Sequence, residues 1–132
     1  MDIQTKKKLM NEDGTATVET VLWLPVLFMI FVLIINTSFV FYKQSIIMRV
    51  VQDANRALSV KRLDSVDDTQ TYIKTRISHL SSNGTATTTI NESTGVITST
   101  AVIPVSDLVF NGKFNFLEDF SVRVSSQHFV EY

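Results

Sequence analysis

Thr20-Val21-Leu22-Trp23-Leu24-Pro25-Val26-Leu27-Phe28-Met29-Ile30-Phe31-Val32-Leu33-Ile34-Ile35-Asn36-Thr37-Ser38-Phe39-Val40-Phe41-Tyr42 is a run of 23 residues without a charge. About 20 such residues cross the hydrocarbon core of a bilayer as a helix. The run holds 15 Leu, Ile, Val or Phe residues. Together they favour insertion by about 5 to 9 kcal/mol. Glu19 stands at the margin of the run, where an acid costs less than the roughly 2.5 to 3.5 kcal/mol it costs at the centre. Insertion therefore wins, and membrane lipid is the first expected partner. A buried core helix fits poorly, because residues 43–132 form too small a domain to wrap such a helix on all sides. A removable signal peptide also fits poorly. Its apolar core spans about 7 to 15 residues and ends at a small-residue cleavage site, whereas this run continues through Phe39-Val40-Phe41-Tyr42.

The pattern beyond the run decides the architecture. Ile46, Ile47, Val50, Val51, Ala54, Ala57 and Leu58 recur at steps of three and four, and Lys43, Arg49, Gln52, Asp53, Asn55 and Arg56 take most other positions. That is an amphipathic helix. No Gly or Pro separates it from the apolar run, so one helix is predicted from about Thr15 to Arg62. Pro25 lies early in it, removes one backbone hydrogen bond to the carbonyl of Val21, and is the expected kink.

A second helix is predicted over 67–80, with Asp67 as N-cap, apolar positions at Tyr72, Ile73, Ile77 and Leu80, and Gly84 as a left-handed stop. Residues 85–90 and 96–105 read as a hairpin about the turn Asn91-Glu92-Ser93-Thr94-Gly95, with Ala86, Thr88 and Ile90 on one face. Residues 106–117 read as a loop rich in Phe (Phe110, Phe114, Phe116) that packs into the core or, as the alternative, offers a docking surface. Residues 120–130 form a last strand with Phe120, Val122 and Val124 inward. The fold class is α+β: a long transmembrane-to-amphipathic helix, a short second helix and a small antiparallel sheet. Three segments follow: 1–14, short and charged; 15–42, membrane-spanning; 43–132, an α+β domain.

Composition excludes several function classes. Net formal charge is −1 and there is no large basic block, so nucleic acid is not an expected partner. There is no cysteine, which excludes disulfides and thiolate metal sites. His79 and His128 lie far apart, and Asp107, Glu118 and Asp119 lack calcium-loop spacing. No phosphate loop and no nucleophile beside a base is recognisable. We expect no cofactor, metal, small-molecule substrate or enzymatic activity. Asn36, Thr37 and Ser38 either bond to a neighbouring helix or are tolerated near the interface. Asn36, Asn83 and Asn91 each begin an Asn-x-Ser/Thr triplet, which matters only where N-glycosylation operates.

The residues Gly14-Thr15-Ala16-Thr17-Val18-Glu19, preceded by Lys6-Lys7-Lys8 and followed by an apolar run containing Leu24-Pro25, resemble the TadE-like family. These are minor pilins, or pseudopilins, of the tight-adherence (Flp) pilus of bacteria. The resemblance covers the first 60 or so residues; Thr20 departs from it, standing where an aromatic is usual. It implies a pilin-like fold and cleavage by a prepilin peptidase between Gly14 and Thr15, which makes 1–14 a cytoplasmic leader. It implies partnership with other pilin subunits and assembly proteins, in surface adhesion. It also implies a register role for Glu19. Cleavage would free an α-amino group on Thr15, protonated near neutral pH. Glu19 could pair with that amine in its own chain or with a neighbouring subunit's; alternatively it is a solvated glutamate favoured by the helix macrodipole. Positive-inside counting near the membrane sets Lys6, Lys7 and Lys8 against Lys43 and Arg49 and supports a cytoplasmic N-terminus; adding Arg56, Lys61 and Arg62 opposes it. The resemblance therefore supplies the orientation: bacterial inner membrane, single pass, domain periplasmic, with passage into an extracellular pilus after processing. The rival reading is an uncleaved, membrane-anchored binding module.

Overall fold

A computed structural model describes residues 3–109 and 119–131, without the side chains of 3–13 and 15. In order come α1 (Ile3–Ser59), α2 (Val66–Ile77), β1 (Thr85–Asn91), β2 (Val96–Pro104), α3 (Val105–Leu108) and β3 (Ser121–Phe129). The α+β arrangement expected from the residue pattern is the one observed. The chain divides into two compact units, Met1–Ile35 and Asn36–Tyr132.

α1 begins well ahead of Thr15, because Lys6, Lys7, Lys8, Leu9 and Met10 are good helix formers with no Gly or Pro among them. It stops at Ser59, short of Arg62. The stop is a Schellman motif. The Arg62 amide donates to the Ala57 carbonyl at 2.7 Å, and the Lys61 amide to the Leu58 carbonyl at 3.1 Å. Lys61 holds the left-handed conformation (φ 54°) usually given to glycine. The sequence carries no Gly there, so the stop left no recognisable mark.

In the Asn36–Tyr132 unit, the amphipathic stripe is borne out. Ile47, Val51, Ala54 and Leu58 are buried, and Ile46, Val50 and Ala57 are half-buried. Asn55 departs from expectation: it is fully buried rather than on the solvent side. α2 starts earlier than expected and ends earlier. Its N-cap is Ser65, not Asp67: the Ser65 hydroxyl accepts from the Asp68 amide at 3.1 Å and donates to the Asp68 carboxylate at 2.8 Å. A hydroxyl three residues ahead of an acid makes this variant of the capping box. Thr69, Ile73 and Ile77 face inward.

Gly84 is not a left-handed stop; among the described glycines only Gly95 has positive φ (65°). Gly84 is needed for space instead. A Cβ there would stand 3.0 Å from Ile77 Cδ1 and 3.3 Å from Ile103 Cγ1. The hairpin turn matches expectation: Gly95 donates its amide to Asn91 O at 2.8 Å, and the Ser93 amide donates to Asn91 Oδ1 at 3.1 Å.

The sheet is an antiparallel meander, β1-β2-β3. Ala86 pairs with Ala101, Ala101 with Val124, and Ile103 with Val122. β2 alternates buried and half-buried along its whole length, as a strand with one covered face must. The inward residues join Ile47, Val51, Ala54, Ile73, Ile77 and Leu108 in one core. Thr88 and Ser99, opposite each other and buried, hydrogen-bond to each other at 2.8 Å, so neither hydroxyl is left unmet. Two expectations fail near the third strand. Phe120 precedes β3 and is 61 % exposed rather than inward. Residues 105–108, expected as the end of a strand at Val105 and loop from Ser106, form a short helical turn after Pro104, with Leu108 fully buried. The expected core role of Phe110, Phe114 and Phe116 lies outside the described residues.

Candidate functional site

The first unit carries the residues singled out from the sequence. Gly14 is an exposed position within α1, and a Cβ added there would meet nothing within 4 Å. Thr15 continues the helix backbone. Glu19 is exposed, with no ion pair to a described residue. Its place four residues after Thr15 puts the two on one helix face, about 6 Å apart along the axis. The Thr20 hydroxyl donates to the Ala16 carbonyl at 2.9 Å, so this residue bonds back to its own helix. Pro25 lies inside α1, and the helix is assigned through it.

The helix from Ala16 onward is long and apolar enough to cross a membrane, and none of its most apolar 18-residue window is buried in the protein. Val18, Val21, Leu22, Trp23 and Leu24 are each more than 60 % exposed. Such a continuous apolar surface calls for lipid or other apolar helices around it.

The second unit holds polar features that the periodicity did not single out. Asn55 Nδ2 donates to the Ser126 carbonyl at 2.8 Å. Asn55 Oδ1 and the hydroxyl of Ser59, four residues on, are buried without a hydrogen-bond partner among the described residues. The only signal was spacing: Val51, Asn55 and Ser59 lie one turn apart, beside the apolar stripe. Asp107 forms a second junction. Its carbonyl accepts from Lys43 Nζ at 3.0 Å, and its carboxylate accepts from the hydroxyl of Ser81 and, at 3.5 Å, from Asn83 Nδ2. These bonds tie the start of the domain's helix, α3 and the α2–β1 connection together.

Among the described residues no group of three His, Cys, Asp or Glu is placed to hold a metal ion. No curated protein and no solved structure matches the chain. A family model does: residues 14–56, running from Gly14 through Glu19 and Pro25 into the amphipathic helix, match the family described as TadE-like protein.

Proposed function

We propose that this chain is a structural subunit, a minor pilin or pseudopilin, cut by a prepilin peptidase after Gly14 and assembled with other subunits of the tight-adherence pilus. The family match points to a protein associated with that pilus system. The carrying observation is that the match begins at Gly14 and takes in both Glu19 and the exposed apolar helix.

The physical reading is as follows. The apolar span anchors the chain in the inner membrane, with residues 1–14 cytoplasmic and 43–132 periplasmic. Gly14 offers the peptidase a backbone with no Cβ in the way, and glycine also lowers the cost of unwinding the helix there by about 1 kcal/mol relative to alanine. Cleavage frees the Thr15 amine where lipid begins. The Glu19 carboxylate then meets that amine, or the equivalent amine of a neighbouring subunit, which sets the axial register of the assembly. Pairing lowers the cost of holding either charge at the membrane margin. The work is assembly and, through the fibre, adhesion, rather than catalysis.

Mass spectrometry of the protein extracted from cells that carry the peptidase tests this. A mature chain beginning at Thr15 is expected. A chain that keeps Lys6, Lys7 and Lys8 in those cells would overturn the reading in favour of an uncleaved anchor bearing a binding domain.

A further inference from the structure

Where α1 ends, its last turns and α2 enclose an open groove of about 650 Å³, lined by Asp53, Arg56, Ala57, Val60, Arg62 and Tyr72. Arg76 stacks over the Tyr72 ring at 5.2 Å. Arg56 and Arg62 are exposed, and neither forms an ion pair with a described residue. The next stretch, running into the first turn of α2, carries Asp64, Asp67 and Asp68, all exposed, and among the described residues only Asp68 is engaged, by the Ser65 hydroxyl. Both signs of charge therefore sit side by side and unsatisfied. A polyacidic ligand drawn to the arginines would meet Asp53 and the acidic turn, and a polybasic one would meet the arginines. The surface suited to this patch has the same two halves in reversed order, and a copy turned by 180° presents that.

We propose that two copies of this chain associate through this patch, the 64–68 turn of each entering the Arg56–Arg62 groove of the other. Each exposed ion pair contributes little. The association is therefore weak for chains free in solution and gains from confinement in one membrane, which raises effective concentration.

Because the chain has no cysteine, the test is clean. Full-length chains carrying Val60→Cys and Val66→Cys, with tags of different size, are mixed in lipid vesicles and oxidised. Val60 lines the groove and is 44 % exposed, and Val66 is the half-buried first residue of α2, between Asp64 and Asp67. The expected result is a 60–66 cross-link between chains. It should fall about tenfold in Arg56→Asp/Arg62→Asp or in Asp64→Arg/Asp67→Arg chains alone, and return when the two reversed chains are mixed. About 1 M salt, where the Debye length is about 3 Å, should suppress it in the chains whose charges are unaltered, a readout that needs no charge reversal. Absence of the cross-link, its persistence after arginine reversal, or indifference to salt would each overturn the proposal. None of these readouts depends on cleavage after Gly14, so the outcome is separate from that of the pilin reading.

Discussion

Replacing Asn55 tests how the end of α1 is held to the third strand. Asn55 is fully buried and its amide donates to the Ser126 carbonyl at 2.8 Å. Asn55→Ala removes that bond and leaves the carbonyl poorly satisfied, a cost of about 1 to 3 kcal/mol. Part of this is returned, because Asn55 Oδ1 is itself buried without a partner among the described residues and its desolvation penalty disappears with it. The net loss should be about 2 kcal/mol. Asn55→Asp is the sharper variant. It puts a carboxylate against a carbonyl, with an acceptor facing an acceptor, and buries an unpaired charge; the loss should be about 3 to 5 kcal/mol. Trp23 lies in the apolar span and does not report on the domain, so hydrogen exchange is the suitable assay. Protection of β2 and β3 amides in the full chain should drop about 30-fold for the alanine variant and by more than a hundredfold for the aspartate variant. Equal protection in Asn55→Asp and Asn55→Ala would refute the reasoning, since the donor role of the amide would then carry no weight.

Four further outcomes are expected. Gly84→Ala should destabilise the domain by about 1 to 2 kcal/mol, because the contacts with Ile77 and Ile103 outweigh the entropy gained; a denaturation midpoint that rises would show that the isoleucines yield freely. Ser65→Ala should cost about 1 kcal/mol, read as faster exchange in the first turn of α2 with little change in β2. Gly14→Val should leave the domain's stability unchanged, since a Cβ at this exposed position meets nothing within 4 Å among the described residues, while blocking processing as followed by gel mobility; normal maturation would count against the assigned scissile bond. Glu19→Ala should be processed as usual but recovered in sheared pilus fractions at no more than about a tenth of the ordinary amount, taking one lost charge pair at a partly desolvated site as roughly 1.4 kcal/mol. Ordinary incorporation would sink the register role.

Local patterning alone determined a good deal: one membrane-length apolar helix, its amphipathic continuation, a hairpin about Asn91 to Gly95, and the likeness to a known family that residues 14–56, which include Gly14 to Glu19, carry. These are matters of period, composition and short-range turn chemistry, and each depends on residues within a few positions of one another. Tertiary structure decided the rest. Asp67 and Ser65 are both reasonable caps, and only the backbone path selected Ser65. Gly84 has the composition of a stop signal, yet what constrains it is Ile77 at the end of α2 together with Ile103, distant in sequence and brought close by the sheet. Lys61 takes a conformation that its side chain does not advertise. Asn55 looks polar on a helical wheel and becomes a buried clasp only because β3 passes beside it. Hydrophobic period is a property of a segment, whereas satisfaction of a buried polar group and the space left for a Cβ belong to whatever segment the fold places opposite.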